Sequence, residues 1–178
     1  GEVLAQGLVA YYPFDGNAND ASGNGHNGVV SANGPTAVQD RFGLSGAAYY
    51  FDGTDDIITV ADHESLQLNA FTVAAWIKHD LPTGASSGDS ILWKGRLGDD
   101  TPGQNYNYGF SLYPDAAVSA GFEENNGTNH EVASDPIDKQ WHFLTETYDG
   151  SQVTLWIDGV FVGSHITNAT PETNAYPL

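Results

Sequence analysis

The stretch WHFLTETYDGSQVTLWIDGVFVGS, residues 141–164, constrains the fold more than any other part of the chain. Three short runs of aromatic and β-branched residues are separated by Asp149-Gly150 and Asp158-Gly159. Asp-Gly is a pair suited to a tight primed turn, because both central positions there need positive φ. The segment therefore predicts two consecutive antiparallel hairpins. Similar runs recur at 8–14 (LVAYYPF), 47–51, 56–60, 71–78, 90–94, 106–113, 116–122 and 130–133, each bounded by Gly, Asp, Asn or Pro. No stretch carries helical periodicity with caps, apart from one short turn at His63-Glu64-Ser65-Leu66. The fold class that follows is all-β, an antiparallel two-sheet sandwich of the jelly-roll kind, in a single domain over 1–178.

Charge excludes whole classes of partner. Twenty-three acids stand against five bases, a formal charge of −18. Nucleic acid and anionic lipid are bound by clusters of Lys and Arg, and here Arg41, Lys78, Lys94, Arg96 and Lys139 are scattered. Such acidity would suit a disordered chain if aromatics were few. Nine Tyr, eight Phe and four Trp argue for a packed core instead. With no cysteine there is neither disulfide nor thiolate metal site, and no run approaches the ~20 apolar residues of a membrane span. The chain also lacks methionine, so residue 1 reads as the product of processing or cutting from something longer.

Residues 11–28, YYPFDGNANDASGNGHNG, place oxygen-bearing side chains at alternate positions among glycines. Two readings stay open. Asp15, Asn17, Asp20, Ser22 and Asn24 could surround a hard cation that takes six to eight oxygens, with Ca2+ favoured over Mg2+. Equally, Asn and Gly make solvated turns with no metal at all. The turn Asp52-Gly53-Thr54-Asp55-Asp56 is a second acidic candidate whose simpler reading is a solvated turn.

The motifs YYFDGTDDIITV (49–60), FTVAAWIK (71–78), WHFLTETYDG (141–150) and VTLWIDGVFVGS (153–164), following the 11–28 segment in this order, resemble the laminin-G-like, concanavalin-A-like jelly-roll domains. The resemblance implies a structural calcium near the 15–24 loop. It places Trp76, Trp141 and Phe143 between the sheets. It also implies a last strand, beyond Leu178, that would pair with residues 8–14. This chain is expected to stop short of that strand, by simple truncation or, as the alternative, because a neighbouring copy donates the strand to the open edge.

Catalytic signatures are missing. Glycosidases on related scaffolds alternate carboxylates along one strand so that they share a groove. Here Glu123-Glu124 point to opposite faces, and Glu146 is out of phase with Asp149. The chain therefore reads as no enzyme. The expected function is an extracellular, secreted, calcium-binding module that binds a glycan or cell-surface polysaccharide, or mediates adhesion. Trp93, Gln104, Asn105, Tyr106 and Tyr108 are the candidate ligand-binding residues, since exposed rings stack on sugars while amides bond hydroxyls. The alternative is a structural subunit of a calcium-dependent extracellular assembly, completed by strand donation.

Overall fold

The computed structural model describes residues 7–82, 88–96 and 102–178. These divide into two compact units, one running up to Leu66 and including Pro177–Leu178, the other formed by Gln67–Tyr176.

The first unit contains β1 (Gly28–Val30), β2 (Thr36–Gln39), β3 (Ser45–Tyr50), β4 (Ile58–Val60) and a 3-10 turn at Glu64–Leu66. β1 pairs with β4 and β2 with β3, both antiparallel. Residues 8–14, expected as a strand, form none. The reason lies in their hydrogen bonds. The Asn24 amide donates to the Leu8 and Val9 carbonyls. Tyr11 donates its N–H to Asp20 and accepts from Ala21. Backbone groups that would have joined a ladder are thus taken by the loop that follows. The expected open edge at 8–14 goes with the strand. Leu178 exchanges both backbone bonds with Val60, at 2.7 and 3.0 Å.

The second unit is a sandwich. One antiparallel sheet has the order β12-β11-β10-β5, the other β6-β7-β8-β9. Their members are β5 (Phe71–Ile77), β6 (Asp89–Lys94), β7 (Tyr108–Leu112), β8 (Ala117–Glu123), β9 (Asn129–Pro136), β10 (His142–Tyr148), β11 (Gln152–Ile157) and β12 (Val160–Ile166). Alternation fills the space between the sheets. Leu144, Glu146 and Tyr148 of β10 point inward with Val153 and Leu155 of β11. Phe110, Val118, Ala120, Phe122 and Val132 meet them from the other sheet. Rings knit the layers, with Phe71 5.4 Å from Tyr108 and Phe122 4.6 Å from Tyr148. Each fully buried large apolar side chain contributes roughly 1.5–3 kcal/mol.

The hairpin expectation holds with one adjustment. Asp158 and Gly159 both have positive φ, 54° and 76°, and join β11 to β12 in the expected tight turn. Asp149-Gly150 instead belongs to a wider loop flanked by the Tyr148–Val153 pair. The Asp149 carboxylate closes that loop by accepting from Ser151 N, Ser151 Oγ and Gln152 N.

Trp76, expected in the core, is 43% exposed. The inward phase of β5 is set by Phe71, Val73, Ala75 and Ile77, so Trp76 faces out. There it packs on its cross-strand neighbour Phe143, ring to ring at 5.1 Å. Trp141 is half-buried.

His142 clamps the same end of β10. Its Nδ1 lies 2.7 Å from Asp158 Oδ2 and its Nε2 3.1 Å from Asp138 Oδ1. Partial burial pulls its pKa down, but bonds to Asp158 and then Asp138 prevail and raise it. A raised histidine stabilises fully below its unfolded value of about 6.5 and stops doing so as pH climbs through the folded value. His142→Gln should therefore flatten the fall in stability above about pH 6.5. Urea melts of both proteins across that range check it, and equal slopes would refute it.

Candidate ligand-binding face

On the β6–β9 sheet, the side chains that do not enter the core form a polar outer face. Gly109 of β7 sits opposite Gly121 of β8 in the ladder, and Trp93 and Glu131 flank them in register. The glycines are required by close approach. A Cβ on Gly109 would lie 2.7 Å from a Trp93 ring carbon, and one on Gly121 would lie 2.2 Å from the His130 carbonyl oxygen. Their lack of side chains lets the indole lie down across the sheet.

Glu131 is the hub of this face. Its Oε1 accepts from the Tyr106 hydroxyl at 2.6 Å, and its Oε2 from Tyr113 Oη at 3.2 Å and Ser119 Oγ at 3.1 Å. Tyr106 N–H donates to Glu123 Oε2 at 3.2 Å. With its nitrogen turned toward the cluster, the Asn129 amide reaches Tyr106 Oη, Glu131 Oε1 and Glu123 Oε1 at 3.0–3.3 Å. Asn129 thus ties the two carboxylates together. Burial first, and then the Glu131 charge, push the Tyr106 hydroxyl far above its usual range, so it stays a donor. The face reaches solvent at Asn129 and at Tyr113, which is 41% exposed. A carboxylate has about four acceptor sites, and three hydroxyls already approach this one. With the Asn129 amide as the fourth donor, the carboxylate is held firmly in place.

The residues expected to bind ligand fall in different places. Trp93 belongs to this face, half-buried, its ring 4.3 Å from Tyr106 and its Nε1 without a partner among the described residues. Asn105, Tyr106 and Tyr108 are almost wholly buried, so the tyrosines offer no ring for stacking. Tyr108 begins β7 in the inward phase and touches Phe71. Asn105 donates to the Glu124 carbonyl. Gln104 accepts from Arg96 at the surface. Residues 97–101 of the same insertion lie outside the described residues. Ser119, Asn129 and Glu131 are additions that the sequence motifs do not single out. Their signal is alternation, since Ser119-x-Gly121-x-Glu123 and Asn129-x-Glu131 put small and polar residues on one side.

The 15–24 loop is held by its own donors. Asp20 Oδ1 accepts from Tyr11 N and Ser22 N, and Oδ2 from Ser22 Oγ and His26 N. Burial would raise its pKa, but these bonds outweigh it and pull the carboxyl down to about 2. Asn17 Oδ1 accepts from Asn19 N, Ser22 Oγ accepts from Asn24 N, and Asp15 is exposed. These bonds cap the loop on itself. Asp52, Asp55 and Asp56 come closer to a cation's needs, with carboxylate oxygens within 4.8 Å of one another.

A family model described as the concanavalin A-like lectin/glucanases superfamily, Laminin_G_3, matches residues 52–178. The chain belongs to this superfamily. The concanavalin A-like assignment agrees with the motifs that pointed to it and with the antiparallel sandwich of the second unit. No curated protein matches the sequence. Among solved structures, a mutant of HCR/D has a TM-score of 0.71 at 15% identity, covering 98% of this chain and 43% of its own. An S-layer domain-containing protein from Clostridium thermocellum has a TM-score of 0.51 at 25% identity, over 91% of this chain and 73% of its own. Domain 4 of AbnA, an extracellular arabinanase of Geobacillus stearothermophilus, solved with arabinotriose, has a TM-score of 0.53 at 20% identity. That match covers 96% of this chain and 80% of the other. This chain thus spans less than half of the HCR/D structure. Among the described residues no helix is long and apolar enough to cross a membrane.

Proposed function

We propose that this chain is a non-catalytic carbohydrate-binding module of an extracellular protein, with the outer face of β6–β9 as its binding surface. The observation that carries the reading is the convergence of Tyr106, Tyr113 and Ser119 hydroxyls on Glu131, beside the exposed Tyr113 ring. A fixed carboxylate and an amide next to an aromatic surface are the groups a sugar needs, acceptors for its hydroxyls and a flat apolar contact for its ring. The arabinotriose complex of the AbnA domain supports the same class of ligand. With a net charge of −18, uncharged glycans are favoured over uronate or sulfated ones.

The test is a glycan array of the parent chain and of Tyr113→Ala, each with and without EGTA. Neutral glycans should bind the parent, and Tyr113→Ala should lose about tenfold or more in affinity, as losing ~1.4 kcal/mol implies. Silence of the parent on every sugar would end the reading. Loss of binding in EGTA would carry the calcium expectation with it, and indifference to EGTA would dismiss that ion. A second reading, a subunit of a surface assembly, is supported by the S-layer domain-containing neighbour. A strict monomer by light scattering at millimolar calcium would dismiss it.

A further inference from the structure

Outside this face, two histidines meet across the sandwich. His130 projects from β9 toward the other sheet, where His165 stands on β12. His130 Nδ1 and His165 Nε2 are 3.3 Å apart, with ring centroids 5.4 Å apart and planes tilted by 48°. We propose that His130 and His165 together bind a divalent transition-metal ion, zinc being the probe of choice, and so clip β9 to β12.

The geometry fits. Two imidazole nitrogens held at about 2.0–2.1 Å by a tetrahedral ion sit ~3.3 Å from each other. As neutral rings, the pair shares a single N–H···N bond. An ion bound there takes a lone pair from each ring, and the bridging proton moves to the far nitrogen of the ring that carried it.

The surroundings complete the arrangement. Metal at Nδ1 fixes the proton of His130 on Nε2. That atom is buried and has no hydrogen-bond partner among the described residues. It faces Glu124 Oε1 at 3.8 Å. A carboxylate behind the far nitrogen of a ligating histidine orients the ring and raises its basicity. The Phe122 ring covers one side of His130 at 5.0 Å. His165 is exposed, so water can take the remaining positions. Burial, the largest influence on His130, lowers its pKa, which favours the neutral ring that a metal requires. Nitrogen donors select zinc, nickel or copper over calcium and magnesium.

His26 and His63 also approach each other, but Ser65 Oγ stands between them at 2.8 and 2.9 Å. His63 Nδ1 already accepts the Ser65 N–H as well. That pair serves as the control.

The experiment is a zinc titration of the whole chain followed by the histidine-ring 15N–1H spectrum and by the thermal midpoint. The ring signals of His130 and His165 should shift together, and the midpoint should rise with zinc and stay put with calcium, since a ligand of the folded state alone stabilises it. His165→Ala should weaken zinc binding by about tenfold or more, at least as much as losing an outer-shell partner does. His63→Ala should titrate like the parent. Circular dichroism verifies that each variant is folded, and His165→Asn replaces the alanine variant if that one is not. Ring signals of His130 and His165 that ignore millimolar zinc would overturn the proposal. So would unchanged zinc affinity in the folded His165 variant.

Discussion

Glu146→Met is expected to stabilise the second unit by about 2 kcal/mol at pH 8, the usual size of relief when a buried polar group without a partner is removed. Glu146 is fully buried on the inward face of β10, and neither carboxyl oxygen has a hydrogen-bond partner among the described residues. Burial, and then the negative charge of Glu131, raise its pKa well above the usual carboxylate range. The folded chain therefore keeps a proton that the unfolded chain releases. Stability is unaffected below the unfolded value of about 4.3 and falls as pH rises through the folded one. Methionine has similar length and no charge, so the variant loses that slope and gains most at high pH. Glu146→Gln separates the two causes, because it should remove the slope while leaving a polar group in the core. Denaturant melts from about pH 4 to pH 8 decide the matter. A methionine variant no more stable than the parent at the upper end would show that the carboxyl is not the cost supposed here. The slope from His142 has the same sign but begins only above about pH 6.5.

Lys94→Met should act in the opposite direction and cost about 3 kcal/mol, since it removes the charged donor of two hydrogen bonds worth about 1.5–3 kcal/mol each. Lys94 has no exposed surface. Its Nζ donates to the carbonyls of Asn174 and Tyr176 at 2.9 and 2.5 Å. Those carbonyls belong to a segment without regular structure, so few other contacts can replace the ammonium. Glu172 N–H bonds the Glu123 carbonyl, and Asn174 Nδ2 bonds that of Asn105. Cutting the Lys94 anchor should thus loosen residues 172–176 as a group. Faster amide exchange confined to that segment, alongside the lost stability, is the expected signature. A loss below about 1 kcal/mol would mean that the carbonyls find other donors.

Strands with strong alternation and Asp-Gly turns are legible in the amino-acid order itself. β5, β10, β11 and β12 lie where their residues place them, because inward and outward positions differ sharply in polarity. Phase is harder to read than location. Trp76 is the largest apolar residue of β5, yet the smaller Phe71, Val73, Ala75 and Ile77 jointly set which side faces inward. Residues 8–14 have strand composition, but side chains from 20–26 reach their carbonyls first, a competition between distant groups that no window of sequence displays. The same holds at the candidate face. Aromatic residues draw attention to Tyr106 and Tyr108, whereas the exposed acceptors come from β9, and their partnership depends on which strands become neighbours. Lys94 and Glu146 look like surface charges because charged residues usually are. Only the fold turns them inward.

Glu131 sits on the outer face of the β6–β9 sheet, yet its charge acts through the sheet on the core. Glu131 on one side is felt by Glu146 on the other. Whatever quenches the negative charge at the surface will therefore make it easier for the carboxyl inside to ionise. By reciprocity, the protonation of Glu146 sets how strongly the surface holds a cation. Occupancy outside and acidity within are linked by charge alone, without any strand having to move.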